Sequence, residues 1–158
     1  MKKVLFFLII LLLLITICTK VANNKEEPVN DYYLTYNEID IKLNTLFSNT
    51  YALIGEYNAN RIEDYENYQS NIYEYDYFEI ETFYENNTEK ISSITLTSNE
   101  RATRENIKIG SSKEEMLNTY GNEYKVIGDN IYIFTHNNTS IEFIIENNYI
   151  MGIKYYKE

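Results

Sequence analysis

The chain has 158 residues, with 24 acidic against 14 basic side chains, 17 tyrosines, one proline, one cysteine and no tryptophan. So acidic a balance argues against a nucleic-acid partner, whose phosphates need Lys and Arg, and against a domain lying flat on anionic lipid. The length suits one domain, and cationic partners are favoured electrostatically.

The N-terminus reads MKKVLFFLIILLLLITICTK. Lys2 and Lys3, then an unbroken apolar run from Val4 to Ile17, give the layout of an export signal. At about 1.5 Å per residue, the uncharged stretch Val4 to Thr19 falls short of a hydrocarbon core of roughly 30 Å. Cys18 closes the run, and everything after it is cysteine-free. An unpaired thiol in an exported domain risks oxidation or mispairing, whereas at this junction it is placed for a thioether to lipid.

The box Ile15-Thr16-Ile17-Cys18, after a basic start and an apolar run, resembles a bacterial lipoprotein signal. That resemblance implies lipid attachment at Cys18. Ile17 is bulkier than the small residue usual there, so two other fates stay open. One is an uncleaved short anchor with Lys2 and Lys3 inside. The other is ordinary cleavage and release. Residues 1–18 thus read as a signal segment and 19–31, TKVANNKEEPVND, as a polar linker. Residues 32–158 read as a single domain.

Ile39, Ile41 and Leu43 alternate like a short strand, and Leu46, Phe47 and Tyr51 allow one or two helical turns. Residues 58–70 are polar and acidic and read as loop. In IYEYDYFEIETFYE (residues 72–85), Tyr73, Tyr75 and Tyr77 share one face, with Glu74 and Asp76 opposite. The phase then flips to Phe78, Ile80 and Tyr84. One regular strand cannot change phase, so a bulge or tight bend is expected near Tyr77-Phe78. Asn86-Asn87 turns the chain, and residues 91–97 return as a strand.

IKIGSSKEEMLNTYG (residues 107–121) carries the strongest local signal. Ser112 and Glu115 form a capping box, Met116, Leu117 and Tyr120 make the buried face, and Gly121 ends the helix. A meander follows: 124–127, 131–135, 141–146 and 149–156, linked by Asn-rich turns. IETFYENN (80–87) and IEFIIENN (141–148) match closely. Either this is chance in an Asn- and Glu-rich chain, or the domain holds two helix-plus-meander repeats, 36–98 and 105–158, sharing one sheet. The predicted fold class is α+β: a mainly antiparallel sheet with one or two short helices on one face.

Gly110, Ser112, Glu115, Met116, Tyr120 and Gly121, ahead of a four-strand meander, resemble the helix start of the beta-lactamase-inhibitor-protein-like fold. They are similar too to the small lipoprotein domains called SmpA/OmlA. The resemblance covers roughly residues 78–158. It implies a fold and no catalytic set.

The residues themselves add little chemistry. His136, the only histidine, sits in a predicted turn without metal-binding partners, and no calcium-loop pattern occurs. Neither a metal nor a cofactor is expected. Glu79 with Glu81, or Glu74 with Asp76, would stand about 7 Å apart on a strand, a spacing that glycosidases use and that solvated strand faces also show. Tyr73, Tyr75 and Tyr77, with Glu74 and Asp76, are the candidate binding surface, set against a plain packing role for the rings. The resulting expectation is a non-enzymatic lipoprotein at the outer face of a bacterial cell membrane, binding a protein or envelope component that is basic. The alternative is a secreted or tethered inhibitor or immunity protein acting on a hydrolase or toxin.

Overall fold

Alternating apolar residues and Asn-rich reversals fold the chain into a large antiparallel sheet with two short helices. The computed structural model describes residues 31–157; the export segment, Cys18 and residues 19–30 of the linker lie outside the described residues. The elements are β1 (Tyr33–Tyr36), β2 (Ile39–Lys42), α1 (Phe47–Ile54), β3 (Ala59–Asp64), β4 (Gln69–Glu74), β5 (Phe78–Glu85) and β6 (Thr88–Leu96). Then come α2 (Lys113–Tyr120), β7 (Lys125–Ile127), β8 (Ile131–His136), β9 (Thr139–Glu146) and β10 (Tyr149–Lys157).

Strands β1 and β2 form a hairpin of their own. The other eight run in the order β3-β4-β5-β6-β10-β9-β8-β7. This is two four-strand meanders, each preceded by one helix, joined where β6 pairs antiparallel with β10. The fold is therefore α+β and sheet-dominated, built as two helix-plus-meander units.

The two units share backbone detail. Ahead of α1, Asn44 N–H donates to Ile91 C=O and Ile91 N–H to Thr45 C=O; ahead of α2, Gly110 N–H donates to Ile150 C=O and Ile150 N–H to Ser111 C=O. Asn44 and Gly110 both take positive φ, +60° and +91°. Each unit ends its third strand in an Asn-Asn turn, Asn86-Asn87 and Asn147-Asn148, with all four residues at positive φ. Asn tolerates this left-handed geometry better than other side chains with a Cβ.

One face of the sheet carries the core. Across the seam, Ile80, Ile94, Tyr155 and Ile141 lie in one row, and Phe78, Leu96, Ile153 and Phe143 in the next. All eight are at most 2% exposed. Met116 from α2, Phe47 from α1, and Leu34 and Ile41 from the small hairpin close over this face. The helices are short, so packing holds them more than propensity does. Capping helps α2: Ser112 Oγ accepts from Glu115 N–H (3.2 Å), and the Glu115 carboxylate accepts from Ser112 N–H (2.7 Å). Leu46, at the corresponding end of α1, offers no side-chain cap.

One expectation is overturned and one, the tight bend near Tyr77-Phe78, takes a definite form. Residues 58–70 are not loop: they hold β3 and the turn into β4. Ile62 is the one large apolar side chain of β3 and is exposed, so the strand is made by backbone pairing to β4 and carries no alternating apolar signal. The phase flip after Tyr75 is a full reversal. Tyr75 N–H donates to Phe78 C=O (2.9 Å), and Asp76-Tyr77 form the tip of the β4–β5 hairpin.

The capping box gives a stability prediction. Ser112→Ala should cost about 1 kcal/mol, seen as a lower urea midpoint at unchanged slope. An unchanged midpoint would show that α2 is held by Met116 and its neighbours alone.

Candidate functional site

The reversal at Asp76-Tyr77 disperses the tyrosine surface expected from the sequence. Tyr73 is buried and stacks on Phe47, ring centroids 4.0 Å apart; Tyr75 is buried and stacks on Phe78 at 4.9 Å. Tyr77 is half-buried beneath the Arg101 guanidinium, 4.7 Å from its ring centroid. Glu74 is paired to Arg61, and exposed Asp76 accepts from Asn58 Nδ2 at 2.8 Å. The five residues share no accessible face, because the large rings gain more from burial against the helix and the next strand than from solvent. His136 is exposed at the end of β8.

The accessible chemistry lies on the opposite face of the sheet, which no helix covers. Its strands alternate apolar-in and polar-out, so this face collects the polar positions. On the first meander Arg61 reaches Glu63, Glu74 and Glu79, through Nε at 3.3 Å to Glu63 and Nη2 at 3.0 Å to Glu79. These carboxylates stabilise the guanidinium's charged form, with Glu79 foremost. All partners are 28–42% exposed, so each pair contributes little to stability while fixing the side chains in place.

Nearer the seam is Glu81. Its Oε1 accepts from Ser70 Oγ (2.9 Å) and Tyr65 Oη (3.3 Å); its Oε2 accepts from Ser93 Oγ (2.9 Å) and Lys154 Nζ (3.5 Å). Burial pushes this carboxyl up, but the hydroxyls of Ser70 and Ser93, with Lys154, outweigh it and hold Glu81 below the ordinary carboxylate range. A carboxylate kept ionised in this way is a fixed acceptor and counter-charge, not a ready proton donor. Tyr65 stacks on Tyr68 at 4.7 Å across the β3–β4 turn, and its hydroxyl, bonded to Glu63, is pushed up to about 12.

A groove of about 820 Å3 runs over this region, lined by Tyr68, Tyr84, Tyr156, Glu81, Glu142 and Lys154 among others. It straddles the seam. Glu81, Ser93 and Tyr156 are cross-strand neighbours in one row; Thr95, Lys154 and Glu142 are neighbours in the next. Glu81 on β5 and Glu142 on β9 occupy matching places in the two units. The arrangement suits an extended ligand that packs on aromatic rims and meets fixed charges of both signs on the floor. Among the described residues no three His, Cys, Asp or Glu side chains converge as a metal site.

Reading the sequence missed Tyr65 and Tyr68, because they lie in the segment taken as loop. Glu81 looked like one more solvated strand carboxylate. Its partner Lys154 is 73 positions away and comes beside it only through the seam.

No family model and no curated protein matches the chain. Solved structures do. A cysteine-rich secretory protein of Staphylococcus aureus aligns with a TM-score of 0.53 at 12% identity, over 73% of this chain and 43% of that one. An extracellular protein containing a SCP domain from Bacillus anthracis aligns with a TM-score of 0.55 at 13% identity, over 86% of this chain and 50% of that one. A DUF4309 family protein of Bacillus subtilis aligns with a TM-score of 0.46 at 15% identity, over 84% and 88%. The first two likenesses show a shared fold, and the chain spans half or less of those proteins' length. This chain, with one cysteine, is not itself cysteine-rich.

Glu81 generates a pH prediction. Its folded-state value is depressed, so its stabilising contribution is present above about pH 4.5 and is lost as pH falls through the lower folded value. Replacing Ser70 and Ser93 together by Ala removes two donors and raises the folded value. The melting temperature of the double variant should then fall less steeply than wild type between about pH 5 and about pH 3. Parallel profiles would contradict the assigned role of the hydroxyls.

Proposed function

We propose that this chain is an exported, non-enzymatic binding module, tethered by lipid on Cys18 at the outer face of a bacterial cell membrane. It holds a protein or envelope component against the open face of its sheet. The observation that carries the reading is the groove across the β6–β10 seam. On its floor Glu81 is already engaged by Lys154 and two serines, while the rings of Tyr68 and Tyr84 remain 56% and 62% exposed. Exposed aromatic rims over a floor whose central carboxylate, Glu81, is already bonded favour recognition over proton transfer.

Three further facts support the reading. The chain begins with the basic-then-apolar layout of an export signal and has a single thiol at its end. Two proteins of similar fold are described as secretory and extracellular. The acidic balance favours a basic partner, whose encounter would weaken with added salt.

A photoreactive phenylalanine analogue at Tyr68, in cells making the chain with Cys18 or with Cys18→Ser, tests both parts. The expected result is a discrete adduct from position 68 and none from exposed Asn118 on α2. The adduct should stay in the membrane fraction only when Cys18 is present. Equal adducts at 68 and 118 would contradict the groove. Membrane retention regardless of Cys18 would mean an uncleaved anchor in place of a lipid.

A further inference from the structure

On the core side of the sheet, at the end beside α1, a carboxylate is held without a cation. Glu89 of β6 is half-buried. Its Oε1 accepts from Thr82 Oγ1 (2.7 Å), Tyr73 Oη (2.8 Å) and Asn71 Nδ2 (3.0 Å), all neutral donors. Among the described residues its Oε2 has no hydrogen-bond partner and no Lys or Arg forms an ion pair with it. Glu81, by contrast, has Lys154, and Glu74 and Glu79 have Arg61; Glu142, on the open face, shares with Glu89 the lack of an ion pair among the described residues. Lys90, next along the chain, points away by strand alternation and pairs with Glu85. A partly desolvated charge with no counter-charge is costly, and three donors on one oxygen fix where the other can be met.

Glu89 lines a cleft of about 620 Å3 together with Leu46, Phe47, Tyr51, Tyr57 and Tyr84. Four rings close a circuit at its wall: Phe47–Tyr51 at 6.1 Å, Tyr51–Tyr57 at 6.0 Å, Tyr57–Tyr73 at 4.9 Å and Tyr73–Phe47 at 4.0 Å. The Tyr57 and Tyr84 hydroxyls make no hydrogen bond among the described residues. Both lie near enough to the Tyr73 hydroxyl to act on it electrostatically, after burial and Glu89. A carboxylate, two phenol side chains and several ring faces therefore line one cleft.

We propose that this cleft takes a lysine side chain from a basic protein segment. The chemistry selects lysine among cations. A guanidinium wants two carboxylate oxygens in a fork, and here Oε1 is already filled by three donors. A quaternary ammonium has no N–H for Oε2. A primary ammonium is a compact charge with three donors, which Oε2 and the phenol oxygens can accept, and its four-carbon stem packs on Phe47 and Tyr51. The acidic balance of the whole chain attracts such a segment. The cleft shares Tyr84 with the seam-straddling groove, but Glu89, Phe47 and Tyr57 do not line that groove, so Glu89→Gln reads the cleft alone.

The test uses the full chain in detergent, with its tyrosine ring signals followed by NMR. The probes are the blocked tripeptide Gly-Lys-Gly and its arginine, trimethyl-lysine and norleucine counterparts. The lysine peptide should shift the Tyr57 and Tyr84 signals saturably. The arginine and trimethyl-lysine peptides should bind several-fold more weakly, and norleucine should not bind. Glu89→Gln keeps the acceptor at Oε1 and removes the charge; it should weaken the lysine peptide about tenfold at an unchanged melting temperature. Should that variant unfold, Tyr84→Ala, at an exposed ring, is the second arm and should weaken binding about threefold. Equal binding of norleucine or trimethyl-lysine overturns the proposal, as do retained affinity in both variants or no saturable shift at all.

Discussion

The structure depends on the pairing of β6 with β10. Each four-strand meander has one apolar face, but a four-strand sheet with one eight-residue helix shields only part of it. Joining the two along β6 and β10 places Ile94 opposite Tyr155 and Leu96 opposite Ile153 at the centre, where all four are at most 2% exposed. The helices then cover one continuous apolar surface, with the small β1–β2 hairpin completing the cover through Leu34 and Ile41. At about 25 cal/mol per Å2 of apolar surface buried, this centre outweighs the exposed ion pairs of the other face.

The same seam organises the polar side. Because strands alternate, every residue committed to the core on β5, β6, β9 and β10 places its neighbour on the open face. Glu81 and Lys154, from different units, meet there only because their strands are locked in register by the core rows behind them. The groove is thus a by-product of the junction, with its aromatic rims on the more peripheral Tyr68 and Tyr84. The Glu89 cleft has the complementary origin. It lies where α1 begins, at the edge of the core cover, so a carboxylate reaches the edge of an aromatic cluster with no basic partner among the described residues.

Much of the fold was legible in the sequence where the pattern was local. The Ser112–Glu115 box and Gly121 delimit α2, and alternation in residues 131–156 gives the second meander. The Asn-Asn pairs mark its reversals: among the described residues eight of nine non-glycine positions at positive φ are Asn. Part of the Asn richness thus serves turns, while Asn49 and Asn118 lie in helices and Asn60 and Asn71 in strands. What was not legible depended on contacts far apart in sequence. β3 has no apolar alternation because it is an edge strand held by its backbone. Tyr73 and Tyr75 look like an exposed stripe until Phe47 and Phe78 are brought against them. The Glu81–Lys154 and Glu89 arrangements combine residues from three or four strands, and no spacing along the chain announces them.

The most direct test of the account is native-state hydrogen exchange across the sheet. If the β6–β10 pairing makes one cooperative unit, amides of β5, β6, β9 and β10 should open with one common free energy, equal to that of global unfolding. Distinct free energies for the segments 47–96 and 113–157 would mean that the two units are stable separately. That result would contradict the dependence of the core, and of the groove across it, on the seam.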